Sequence, residues 1–229
     1  MVSVVIPAFD EAGTVGDCIA VALRHPDVVE VILVDDGSSD RTAEVARAAG
    51  ARVLQLEHNG GKAAALDAGV RAAKHDVLLF LDADITGHTV QTLSLIMLPV
   101  INGRFEMHVG IRARKTIWLN RILHFFPIIG GERALTRSLW EATPHAHTHG
   151  FQIEIALNYT SKRFDKGMGF ALIPGTFHRI KEKKYGIALG LFRRLRMIAD
   201  VLAISFRLYV LGRLSRRVAG LHQKLLSRG

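Results

Sequence analysis

The sequence predicts an α/β fold with a mostly parallel central sheet flanked by helices. Three observations predict it: short apolar, β-branched runs recur through the first hundred residues, Ala-rich stretches of helical character separate them, and acidic residues follow the runs. Continuous apolar runs of this length fit strands buried on both faces. Their alternation with helices fits a layered domain with right-handed crossovers.

The first run is Val2 to Pro7, where proline stops the strand. A helical stretch from Ala12 to Arg24 follows, then the run Val28 to Val34. The next helix spans Asp40 to Ala49, with Asp40 placed to cap its start and Gly50 to cap its end. Ala51 to Leu56 and Val77 to Leu81 supply two more strands, and Gly61 to Lys74 the helix between them. The uncharged stretch from Ile85 to Gly103 is too rich in Thr, Ser, Gln and His to span a membrane, so it reads as a helix lying on the sheet. A further helix starts near Phe151.

With 229 residues, 49% hydrophobic and 22% charged, the chain is one domain with an appendage and not a disordered polymer. A single cysteine, Cys18, excludes an intrachain disulfide framework and a Cys-based zinc site, and fits a reducing compartment. The opening MVSVVIPAF has no basic region or cleavage site and reads as a strand, not a signal peptide. The net charge of +9 is unevenly placed. Residues Met1 to Phe177 hold 17 basic against 19 acidic side chains, whereas His178 to Gly229 hold 13 against two. We therefore divide the chain into a catalytic domain, 1–180, and a basic amphipathic helical tail, 181–229.

In open α/β sheets, ligands bind at the carboxyl ends of the strands. Asp10 and Glu11, Asp35 and Asp36, and Asp82 and Asp84 all fall there. Acids gathered on one edge repel unless cations or donors intervene. Asp82-Ala83-Asp84, directly after VLLFL, is the sharpest element: two carboxylates one residue apart can hold a hard divalent cation that also binds a diphosphate. A phosphate acceptor, already ionised near neutral pH, needs cations rather than a general base. Among Arg104, Arg112, Arg114, Lys115, Arg121, Arg133 and Arg137, we single out Arg112 and Arg133 as site residues. Glu154 is either the base for a hydroxyl acceptor or the residue that orients a nearby arginine. His145, His147 and His149 could bind a transition metal, but read more simply as a polar loop.

Four ordered segments, VVIPAFDEAGTV, ILVDDGSSDRT, HNGGKAAALDAGV and LLFLDADI, resemble the family-2 glycosyltransferases of GT-A fold. The resemblance implies transfer of a sugar from a nucleoside-diphosphate sugar, with Mg2+ or Mn2+ and inversion. It places Pro7, Ala8, Phe9, Glu11, Val34 and Asp36 around the nucleoside, Asn59 to Lys62 near the nucleotide, and Asp82 and Ala83 on the donor. Asp84 would be the main metal ligand, with Asp82 beside it. The later blocks around Arg112, Gly131 to Arg137 and Gly150 to Ile155 look like polyprenyl-phosphate sugar transferases, with the dolichyl-phosphate mannosyltransferases the nearest type. By position, Arg112, Arg179 and Lys184 become phosphate contacts. Phe126 to Gly130 departs from the acidic residue and Ser or Thr usual there, and Thr86 stands where Gln is common.

In the tail, Arg193, Arg196, Asp200 and Arg207 share one helical face, away from Leu195, Ile198, Leu202, Phe206 and Tyr209. Arg213, Arg216, Arg217 and Lys224 continue the cationic content. Such a helix fits the interface of an anionic membrane. It would equally serve packing on the catalytic domain, pairing with a second copy of the chain, or docking on a separate membrane subunit. The expectation is a peripheral protein at the cytoplasmic, inner face of the membrane, acting on polyprenyl phosphate or another lipid acceptor. A glycan or small soluble acceptor is the runner-up. A non-catalytic module binding nucleotide or nucleic acid comes last, because the acidic edge would repel a phosphate backbone.

Overall fold

The computed structural model describes residues 1–112, 132–144 and 152–178. In order they form β1 (Val2–Ala8), α1 (Val15–Leu23), β2 (Val28–Asp35), α2 (Thr42–Ala48), β3 (Arg52–Gln55), α3 (Lys62–Ala72), β4 (Val77–Phe80) and β5 (Ile85–Thr86). There follow α4 (Val90–Ile101), β6 (Met107–Arg112), β7 (Arg133–Thr136), α5 (Arg137–Ala142), α6 (Gln152–Ser161), β8 (Met168–Ile173) and β9 (Phe177–His178). The main sheet has the order β3-β2-β1-β4-β7-β6-β8, and β5 pairs with β9 in a second, two-stranded ladder. In the main sheet only β7 runs against its neighbours, so the sheet is mostly parallel, as the sequence predicts.

Period-two alternation divides each apolar run between two cores. On one face Val4, Ile6, Leu33, Leu79 and Leu81 pack with Ile19 of α1 and Leu93, Ile96 and Met97 of α4. On the other, Val5, Ile32, Val34, Leu78 and Phe80 pack with Leu66 and Val70 of α3, Trp140 of α5 and Leu157 of α6. Burying each such side chain contributes about 1.5–3 kcal/mol, which is why continuous apolar runs make central strands. Gly69 lets α3 lie directly on β1: a Cβ there would stand 2.3 Å from Val5 Cγ1. Phe80 and Trp140 meet edge to face, with ring centroids 5.3 Å apart.

The helices are shorter than their sequence patterns. The amides of Thr14 and Val15 both turn back to the Glu11 carbonyl, so α1 starts at Val15 and not at Ala12. Asp40 is one residue early for a cap of α2, and its carboxylate takes the Thr42 amide at 2.9 Å and the Ala12 amide at 3.1 Å. Gly50 follows α2 with φ +96°, in the role expected of it. α4 begins at Thr89, which exchanges capping bonds with Thr92.

Candidate active site

The carboxyl ends of β1, β2 and β4, with the start of α3, form one edge. Phe9 is half-exposed just past β1, and Asp10 adopts φ +54°, a left-handed turn that its carboxylate supports by accepting the Ser39 amide at 2.8 Å. The Glu11 amide donates to Thr42 Oγ1 at 2.8 Å. Ala8 and Val34 are buried and Pro7 is half-buried beneath them. Asp35 accepts from the Ser38 amide at 2.9 Å, holding the turn after β2. Asp36 accepts the amides of Gly60 and Gly61, each at 2.8 Å, which fixes the loop into α3. The glycine pair is therefore more than a turn: it presents two donors to a buried carboxylate.

That loop delivers Lys62 to the centre of the edge. Its Nζ lies 2.7 Å from Asp82 Oδ1 and 3.1 Å from Glu154 Oε1, bridging β4 to α6. Burial alone would lower the lysine pKa, but the two carboxylates outweigh it and hold Lys62 above its usual value. Burial would likewise raise Asp82, but Lys62, then Arg112 and Arg133, hold it below the usual aspartate range. Arg133, on β7, is only 1% exposed and lies within 3.5 Å of Asn158 Oδ1 and 3.8 Å of Met107 Sδ. Burial lowers its pKa, against the fields of Glu154, Asp82 and Glu132. Glu154, itself buried, thus pairs with Lys62 and adds its field at Arg133.

The opposite face of the same edge is arranged differently. His88 Nε2 stands 3.5 Å from Glu132 Oε1, and the two side chains are 2% and 0% exposed. Both imidazole nitrogens, both carboxylate oxygens and Arg112 Nη1 are buried without a hydrogen-bond partner among the described residues. His88 and Glu132 were not among the residues expected in the site. The available signal was the adjacent charged pair Glu132-Arg133 at the start of a short strand whose next residues, Ala134 and Leu135, are apolar.

Asp82, Ala83 and Asp84 lie together just past β4, with Ala83 buried and both acids half-buried. Two hard carboxylate oxygen donors suit Mg2+ or Mn2+, which take few protein ligands and complete their shells with water and phosphate oxygens. Among the described residues no group of three His, Cys, Asp or Glu forms a complete protein cage. Two such carboxylates fit a cation that takes its remaining ligands from water and phosphate oxygens. The ladder of β5 and β9 sets His178 opposite Ile85, one residue from Asp84 along the chain. Arg179, Lys184, Arg114, Lys115, Arg121, the histidines of 145–149 and the basic tail lie outside the described residues. Arg104 and Arg137 stand apart from the edge. Arg104 lies over the Phe105 ring, and Arg137 donates to the carbonyls of Val70, Ala73 and His75, closing the end of α3.

Residues 3–151 match the family model described as glycosyl transferase family 2. The chain is 39% identical over 94 residues to undecaprenyl-phosphate 4-deoxy-4-formamido-L-arabinose transferase of Edwardsiella ictaluri, covering 37% of this chain and 29% of that protein. It is 29% identical over 194 residues to glucosyl-3-phosphoglycerate synthase of Mycolicibacterium paratuberculosis, covering 69% and 59%. The chain thus spans less than two-thirds of the length of either relative. A crystal structure of glucosyl-3-phosphoglycerate synthase from Mycobacterium tuberculosis, with Mn2+, uridine diphosphate and glucosyl-3-phosphoglycerate, superposes with a TM-score of 0.72 at 25% identity, covering 89% of this chain and 79% of that one.

Proposed function

The chain belongs to glycosyl transferase family 2, and on that premise we propose that it transfers a sugar, with inversion, from a nucleoside-diphosphate sugar to polyprenyl phosphate at a membrane surface. One observation carries the acceptor class. Glu154, the candidate general base, has Oε1 engaged by the Lys62 ammonium, and its Oε2 is buried without a hydrogen-bond partner among the described residues. It positions cations, so an acceptor that needs no deprotonation suits this edge best. A phosphate monoester is such an acceptor. Its oxygen forms the new bond to the anomeric carbon as the bond to the nucleoside diphosphate breaks and the electron pair leaves on the diphosphate.

Asp84, with Asp82 beside it, would hold Mg2+ or Mn2+, which neutralises charge on the leaving diphosphate when bound. The solved complex with Mn2+ and uridine diphosphate supports that cofactor and donor class. Lys62 and Arg112 flank Asp82 and supply positive field for the same phosphates. Phe9 offers an exposed ring for the base, beside Pro7 and Ala8. A basic tail beyond residue 180 would hold the protein at an anionic leaflet.

A second reading keeps the donor and takes a small soluble phosphorylated acceptor. It is favoured by the glucosyl-3-phosphoglycerate synthases, which align with 69% of this chain against 37% for the undecaprenyl-phosphate enzyme. One assay separates the two readings. The full chain is given Mn2+ and radiolabelled nucleotide sugars, with undecaprenyl phosphate in detergent or with 3-phosphoglycerate. We expect label in the lipid phase, and Asp84→Ala to reduce transfer by about a thousandfold, a barrier increase of about 4 kcal/mol. Label that enters only the aqueous acceptor overturns the lipid reading. Undiminished transfer by Asp84→Ala overturns the metal assignment.

A further inference from the structure

Glu132 precedes β7, and its backbone carbonyl accepts from the Gly110 amide at 2.9 Å. Directly paired residues share a sheet face, and Arg112 lies two residues beyond Gly110, so its side chain leaves on the same face, a diagonal neighbour of Glu132. His88 reaches Glu132 from the other direction, at 3.5 Å. The segment from Asp84 to His88 is otherwise held by the β5–β9 ladder and by Gly87, whose φ is +86° and where a Cβ would stand 2.1 Å from the Gly175 carbonyl oxygen. The carboxylate of Glu132 thus sits between the segment that starts at Asp84 and the strand that ends at Arg112.

Five polar atoms on these three side chains are buried without a hydrogen-bond partner among the described residues. Loose contacts of this kind in a ligand-free site commonly tighten when substrate binds. We propose that Glu132 is a positioning residue: through His88 it fixes the segment carrying Asp84, and through the shared sheet face it aims Arg112, so that metal and diphosphate are met by groups held in register. The inference rests on reading Asp84 and Arg112 as the metal and phosphate contacts. Partners one layer behind a metal ligand typically change metal affinity by 10–100-fold when removed.

The test uses the full chain as Glu132→Gln, His88→Asn and the double variant. Mn2+ binding is followed by electron paramagnetic resonance with UDP and, separately, with GDP, and thermal melting of the ligand-free protein is recorded alongside. Each single variant is expected to weaken nucleotide-dependent Mn2+ binding about tenfold while ligand-free melting stays within a few degrees, because the two side chains meet only at 3.5 Å and make no side-chain hydrogen bond among the described residues. The double variant is expected to be no worse than either single one, since the two residues act as a unit. Unchanged Mn2+ affinity in Glu132→Gln, or a melting loss with no binding loss, overturns the proposal and leaves a structural pair. Strictly additive losses overturn the coupling through His88. A wild-type chain that binds Mn2+ with neither nucleotide overturns the donor reading itself, and this inference with it.

Discussion

The two faces of the catalytic edge treat buried charge in opposite ways. On the α3 and α6 face, Lys62 is clasped by Asp82 and Glu154, and Arg133 lies in the field of the same carboxylates. On the α4 face, His88 and Glu132 meet only at 3.5 Å, and with Arg112 they carry buried polar atoms without a hydrogen-bond partner among the described residues. The first arrangement makes its short contacts without ligand, although Glu154 Oε2 lacks a hydrogen-bond partner among the described residues. The second has more capacity left over. Removing one member of a complete buried pair strands the other charge, whereas neutralising a group that has made no bond forfeits little. Stability therefore belongs to the clasped face, and responsiveness to the unpartnered one.

The largest effect is expected from breaking the clasp. Lys62→Met keeps the stem and removes the charge, leaving Asp82 and Glu154 facing each other and Arg133. Breaking a buried pair costs about 3–5 kcal/mol, and because the Lys62 side chain retains 29% exposure the lower end, about 3 kcal/mol, is expected. Urea unfolding measures it. A loss under 1 kcal/mol would show that the clasp does not support the fold, and the contrast with Glu132→Gln would disappear.

A smaller and graded effect comes from pH. Asp82 is held below the usual aspartate value of 3.8, so its stabilisation is present above that value and is lost as pH falls through the lower folded-state value. Lys62 is held above the usual lysine value of 10.5, so its stabilisation is present below 10.5 and is lost as pH rises through the higher folded-state value. In Lys62→Met, Asp82 loses the cation that offsets its burial and faces Glu154, so its carboxyl is pushed up in the variant. The difference in unfolding free energy between wild type and Lys62→Met is therefore expected to shrink as pH falls, beginning above 3.8, and to shrink again as pH rises beyond 10.5. A difference that does not change with acid would break the assignment.

The clasped face was the more legible of the two in the sequence. Lys62 and Asp82 lie in ordered local motifs, Gly60-Gly61-Lys62 and Asp82-Ala83-Asp84, and the second directly follows an apolar run whose length marks a buried strand. The sequence could not reveal that Lys62 bonds Asp82 and Glu154, since that contact needs α6 folded over β4, 92 residues from Lys62 to Glu154. The unpartnered face was illegible for a related reason. It depends on β7 entering antiparallel between β4 and β6, a choice of topology that no local pattern dictates. The short β5 and β9, two residues each, likewise have no periodicity to read. Tertiary pairing decides them.

The smallest expected effect tests whether burial, and not charge pairing as such, separates the two faces. Asp67 and Arg71 pair on α3 at a spacing of four residues, with the Arg71 side chain 74% exposed. The order is favourable, acid before base, and Arg71 lies in the last turn, where a cation suits the helix dipole. Even so, an exposed pair of this kind contributes only about 0.3–0.5 kcal/mol, and salt screens it. Arg71→Ala is therefore expected to shift urea unfolding barely beyond error at low salt and not at all in concentrated NaCl, while Lys62→Met keeps its full deficit in both. Were the two variants equal, the ion pairs on α3 and at its start would be energetically alike. Water would then reach Lys62 as freely as Arg71 and would screen the field by which Lys62 keeps Asp82 ionised.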